Sequence, residues 1–236
     1  MSDVYTLTIS GPGKNALSTA VMQDLIRQTR EAAGRPVLVI GAGGAFSAGL
    51  NLKEVASLDA AGMERFLLLL DDMIDAFFDY PGPLVTCVNG HAIAGGCVIA
   101  LAGDVRVATD DPNARIGLNE IALGLEFPPK IMRIARHRVA PRAFERVMLE
   151  AALYPPRRAV ELGLVDEVAT DVEARAREVL AALASHPPEI YAATKRTIRA
   201  GQITLSPEDR RRFRDEVLPR WCAPAVKDRV LAALKR

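Results

Sequence analysis

Cysteine is scarce in this chain. Cys87, Cys97 and Cys222 are the only three in 236 residues, too few and too scattered for a disulfide framework or a zinc site. A reducing, cytoplasmic setting is the expectation. An excess of one charge is also missing. Thirty Lys and Arg stand against 29 Asp and Glu, a net charge of +1, so there is no global pull toward nucleic acid or anionic lipid. Long hydrophobic runs are absent. The nearest, Leu84–Gly103, is broken by Asn89, His91 and the glycines at 90, 95, 96 and 103, and FLLLL at 66–70 is far too short to span a bilayer. The opening MSDVYTLTIS has neither the basic start nor the apolar core of a secretory leader, and the closing LKR is no peroxisomal signal. The histidines at 91, 137 and 186 show no ligand spacing, and no metal is expected. The dinucleotide, P-loop, zinc-hydrolase and serine-hydrolase signatures do not occur.

What remains is an ordinary globular composition, 50% hydrophobic and 25% charged. VYTLTIS (4–10), PVLVIGAGG (36–44), LVTCV (84–88) and VRVAT (105–109) read as strands. The apolar spacing from Leu17 predicts a helix ended by Gly34-Arg35-Pro36, and residues 60–79 and 95–102 also read as helices. Strands alternating with helices argue for an α/β fold with parallel pairing. After about residue 128 the strand signal nearly vanishes, and almost everything from Val172 to Arg236 is helical, punctuated by prolines. The expected division is an α/β core over 1–168 and a helical C-terminal region over 169–236.

Two glycine loops carry the first chemical signal. FSAGLNL (46–52) and AIAGGCVIA (92–100) each follow a strand, and Gly95-Gly96 open a helix. Glycine lets a backbone approach a ligand closely, and the first N–H groups of a helix are free and partly positive. Two N–H groups, one from each loop, can converge on one oxygen as an oxyanion hole; the bland alternative is a pair of tight turns. Glu120 lies in the apolar stretch ARIGLNEIALGL, where desolvation raises a carboxylate's pKa toward the range of a useful base. Glu126, in LGLEFPP, has a similar setting. For either, a surface glutamate at a helix end is the plain alternative. Arg210, Arg211, Arg212 and Arg214 are flanked by Glu208, Asp209, Asp215 and Glu216, as on a solvated helix face.

Taken together, KNALS (14–18), AFSAGLNLKE (45–54), VNGHAIAGGC (88–97) and the later glutamate segment resemble, in order, the crotonase (enoyl-CoA hydratase/isomerase) superfamily. The resemblance runs from about residue 10 to residue 170. It implies a ββα spiral core and an acyl-CoA thioester substrate whose carbonyl is held by the N–H groups of Leu50 and Gly95. Ser47, Ala48, Leu52, Val98 and Phe127 would border that substrate. Hydratases of the family carry two glutamates. Here the first place is taken by Val98 and the second by Glu120. With IGLNE (116–120) and PPRRAVELGLVDEV (155–168), this is most similar to the mitochondrial type of Δ3,Δ2-enoyl-CoA isomerase, in which one carboxylate shuttles a proton during β-oxidation of unsaturated chains. Asn51 and Glu126 depart from that subgroup, and Glu126 is a candidate second acid for hydration. An RNA-binding homologue using Arg210–Arg214 is the alternative from another class. The resemblance implies a homotrimer or hexamer, and no cofactor besides the coenzyme A of the substrate.

Overall fold

The computed structural model describes residues 3–234; Met1, Ser2 and the last two residues of the LKR ending lie outside it. Five parallel strands form the main sheet in the order β1 (Tyr5–Ile9), β2 (Val37–Gly41), β4 (Leu84–Val88), β6 (Val105–Thr109), β8 (Glu167–Ala169). Its centre reads as continuous apolar runs because both faces are covered, as parallel sheets require. Val37, Leu38 and Val39 of β2, and Leu84 and Val85 of β4, have no exposure at all. A second parallel sheet is built from three very short strands, β3 (Ala45–Ser47), β5 (His91–Ile93) and β7 (Ile116–Gly117).

The two sheets alternate along the chain. Each of β2, β4 and β6 is followed by a short strand of the second sheet and then by a helical segment: Leu52–Ser57, Gly95–Ala102 and the 3-10 turn Glu120–Leu123. This repeat is the expected ββα spiral. It places the starts of all three helical segments just beyond the second sheet, where the two glycine loops lie.

Local chemistry sets the helix boundaries. Ser18, Asn51 and Asp59 accept from the first free N–H groups of helices 19–32, 52–57 and 60–78. Met63, Phe66, Leu67, Leu70, Ile74 and Phe77 put one face of helix 60–78 into the main core. On the opposite side of the main sheet, Ala176 and Leu180 of helix Val172–Leu183 pack on Leu38, Val85, Cys87 and Val107.

The C-terminal helices fold back on the spiral. Phe213, Val217, Trp221, Val226 and Val230 belong to the same apolar cluster as Leu70, Val98 and Phe127. Beyond residue 128, where the strand signal nearly vanishes, one short strand remains: β8 pairs in parallel with β6. Glu167, Val168 and Ala169 are all half-buried and do not alternate, so this edge strand leaves no periodic trace. Among the described residues, no helix is long and apolar enough to cross a membrane.

Candidate active site

The two glycine loops meet. Leu17 N–H donates to the Gly49 carbonyl and Asn51 N–H to the Leu17 carbonyl, which fixes the loop on either side of Leu50. That bridge does not use the N–H of Leu50, and no acceptor among the described residues takes it. Gly49 has φ +85°, and a Cβ there would lie 2.6 Å from the Ile93 carbonyl oxygen and 3.1 Å from the nitrogen of Gly95. The loops therefore approach within a distance that excludes any side chain at 49.

The second loop turns sharply into helix Gly95–Ala102. Ala94 takes φ 49°, ψ −119°, a backbone conformation that costs a residue with a Cβ about 1–3 kcal/mol. The strain turns the peptide so that the Gly95 N–H opens the helix. As a first-turn group it has no intrahelical acceptor, and none is supplied by the described residues. Two free donors on touching loops, Leu50 N–H and Gly95 N–H, are the ingredients of an oxyanion hole.

Beneath the first loop, Ser47 has no exposure. Its Oγ donates to the Asn15 carbonyl (2.8 Å) and accepts from Gly49 N–H (3.2 Å). Asn15, at φ 57°, sends its amide to the carbonyls of Ala42 (2.9 Å) and Ala45 (2.8 Å). The sequence singled out Asn15 only as part of KNALS. Its role as a strut becomes visible once residues 30 positions apart are neighbours.

Glu120 opens the 3-10 turn after β7 and is 4% exposed. Burial pushes its carboxyl up to about 7, partly offset by the N–H groups of Glu120 itself and Asn119. Its Oε2 is buried, and no group among the described residues bonds to it. The Gly124 turn closes behind it, with Leu125 N–H donating to the Glu120 carbonyl at 3.0 Å.

Glu120, Leu50 and Gly95 line one cavity of about 240 Å³ together with Ala48, Leu52 and Asn119. The rest of the wall is almost wholly apolar: Leu70, Leu123, Leu125, Ile131, Trp221 and Ala233 among others. Ser47 braces this cavity from below and does not line it. Val98 and Phe127 are buried in the main core and do not line it either. Trp221 and Ala233, contributed by the C-terminal helices, were not singled out in the sequence. Nothing in the local pattern around Trp221 marks it.

Glu126 is not in the cavity wall. Its carboxylate is held by Arg212 (Oε1, 2.6 Å) and by Arg220 through the other oxygen. The arginines of the run 210–214 have different neighbours. Arg212 pairs with Glu126, while Arg210 and Arg214 border a separate cleft of about 760 Å³ whose wall carries both signs, Lys130 and Arg196 as well as Asp71, Asp72 and Asp75. That cleft contains neither loop donor nor Glu120.

An apolar cavity, two free backbone donors and one buried carboxylate of raised pKa can stabilise an enolate oxygen and move a proton beside it. Comparison with known proteins points the same way. The human mitochondrial enoyl-CoA delta isomerase 1 is 29% identical over 203 residues, 83% of this chain and 67% of that protein. The rat protein of the same name is 33% identical over 158 residues, 66% of this chain and 55% of its own length. The match thus spans about half to two thirds of these mammalian relatives. A probable enoyl-CoA hydratase of Bacillus subtilis is 30% identical over 212 residues, covering 85% of this chain and 80% of that one. The crystal structure of human mitochondrial Δ3-Δ2-enoyl-CoA isomerase superposes with a TM-score of 0.89 at 25% identity, covering 99% of this chain and 93% of that one. The sequence profile described as Enoyl-CoA hydratase/isomerase matches residues 1–219, and the chain belongs to that family.

Proposed function

We propose that this protein is a Δ3,Δ2-enoyl-CoA isomerase of unsaturated fatty-acid breakdown. Glu120 takes a proton from C2 of a 3-enoyl-CoA. The electron pair moves onto the thioester oxygen, which the N–H groups of Leu50 and Gly95 hold as an enolate. The same carboxyl returns the proton at C4, and the double bond comes to rest between C2 and C3. Coenzyme A enters and leaves with the substrate, and the scheme calls for no metal or redox group. A homotrimer or hexamer is part of the reading.

The observation that carries the reading is the solitude of Glu120. It is the only carboxylate in the cavity wall among the described residues, with one oxygen unclaimed. One shuttling carboxyl suffices for a proton that leaves and returns on the same molecule. Hydration needs groups that position and activate water as well as deliver a proton. The place of the first hydratase acid is held by buried Val98, and both oxygens of Glu126 are occupied by guanidinium groups. The Bacillus subtilis relative supports hydration as the second reading.

The test supplies 3-enoyl-CoA and follows the conjugated product, then supplies 2-trans-enoyl-CoA and follows 3-hydroxyacyl-CoA. Isomerisation is expected to be much the faster. Hydration equal to it or faster overturns the assignment. Glu120→Gln keeps the shape but cannot accept the proton, and turnover is expected to fall about 10²–10⁴-fold with acyl-CoA still bound.

A further inference from the structure

Glu126 and the arginines facing it lie outside the chemistry just described, yet they are well organised. Arg212 and Arg220 are eight positions apart, which in an uninterrupted α-helix leaves them about 80° out of line. Between them Phe213–Val217 forms a π-helical turn. Its wider winding takes up that angle, and both guanidinium groups reach the one carboxylate. π-turns of this kind recur at functional sites. The next residue along, Trp221, donates its indole N–H to the Glu126 carbonyl at 2.8 Å. Glu126 is thus held three ways by one helical segment.

Trp221 is where this clamp meets the cavity. It is 3% exposed and is the largest side chain of the wall. Residues 120–125 contribute the base to the same wall, and Glu126 directly follows them. The clamp therefore fixes the indole relative to the segment bearing Glu120. An apolar cavity of about 150 Å³ takes a six-carbon ring, so the cavity of about 240 Å³ holds roughly eight to ten carbons at a similar filling.

We propose that Trp221, locked in place by the Glu126–Arg212–Arg220 clamp, is the stop that limits the acyl chain to medium length. This rests on the acyl-CoA reading of the cavity but not on which reaction occurs there. Glu126 is then a positioning residue that acts through Trp221.

The test uses saturated acyl-CoAs of six to fourteen carbons, which neither isomerisation nor hydration consumes. Calorimetry gives their affinities for the parent enzyme and for Trp221→Ala, Trp221→Phe and Glu126→Gln. Each buried methylene is worth up to about fourfold in affinity. Parent affinity is expected to climb with length to eight to ten carbons and then level off. Trp221→Ala is expected to move the break by two carbons or more, tightening dodecanoyl-CoA at least about tenfold relative to octanoyl-CoA. Trp221→Phe and Glu126→Gln are expected to move it less, in the same direction. Should Trp221→Ala fail to fold, these two decide. A parent affinity that climbs unbroken to fourteen carbons overturns the stop, as does an unmoved break in the folded variants. A clear break in a parent that does not isomerise overturns the reaction and leaves the stop standing. No binding at any length overturns the acyl-CoA reading and the stop together.

Discussion

In the proposed reading, Glu120 sets function against stability in one side chain. Burial raises its carboxyl from 4.5 to about 7. Below 4.5 the group is neutral in the folded and unfolded chains and favours neither. Between 4.5 and 7 the folded chain holds the proton that the unfolded chain gives up, so rising pH erodes stability. Above 7 the full cost of a buried, only partly compensated carboxylate is in place, about 3 kcal/mol. Glu120→Gln removes that cost. Denaturant titrations are expected to show the variant more stable than the parent by up to about 3 kcal/mol at pH 8 and nearly equal to it at pH 4.5. If Glu120 is the proposed base, the parent's kcat/KM is expected to rise with pH and level off just above 7, because only the ionised carboxylate can accept a proton. A variant less stable than the parent at pH 8 would mean that the carboxylate is solvated or paired, and the base would then have to be sought elsewhere.

The helices and strands around Glu120 matter chiefly for how closely they bring two loops together, and glycine substitutions measure that approach. Gly43 and Gly49 both have positive φ, but a Cβ on Gly43 meets nothing within 4 Å, whereas one on Gly49 presses on Ile93 and Gly95. Gly43→Ala is expected to cost about 1–2 kcal/mol of strain and no activity. Gly49→Ala carries that strain and also wedges Leu50 N–H away from Gly95 N–H. Turnover is expected to fall about 10²–10³-fold, the worth of one oxyanion donor. Steady-state kinetics on both folded variants checks the contrast, and equal rates would contradict a hole built from the two loops. The glycines were readable in the sequence because backbone approach demands them, as was Glu120 because its neighbours are aliphatic. Four of the five main strands were readable from their β-branched runs. The second sheet was not: β3, β5 and β7 are two or three residues each, too short for any period to register. Nor could local pattern show the fate of Glu126, whose partners lie 86 and 94 positions further on.

At the scale of the whole molecule, the C-terminal helices complete a cavity that the spiral begins, and one half-buried acid ties them to it. Asp104, at the end of helix 95–102 and before β6, accepts from Leu84 N–H (2.8 Å), Tyr191 Oη (2.8 Å), Lys195 Nζ (2.8 Å) and Arg199 Nη2 (2.6 Å). Lys195 and Arg199 are themselves buried and also bond the carbonyls of Gly82 and Phe78. Helix 188–199 thus faces the spiral with its charges, while Ile190 and Ile198 point outward at 60% exposure each. An apolar face can slide on its neighbour; this charged face is fixed by direction and distance. Burying the two cations is costly unless the anion is present. Burial already pushes Lys195 down to about 8, with Asp104 opposing the shift. Asp104→Asn keeps the shape and removes the charge, leaving two buried cations facing each other. The expected loss is about 3–5 kcal/mol, read by urea denaturation. Because Trp221 and Val217 share the main core with Leu70 and Val98, the loss is expected in a single transition, with circular dichroism and tryptophan fluorescence coinciding. Acyl-CoA binding should weaken in step, since Trp221 and Ala233 form part of the cavity wall. If fluorescence moved to lower urea while circular dichroism of the remainder held, residues 169–236 would be a separately folding unit docked on the spiral. The cavity would then be an interface between two units within one chain.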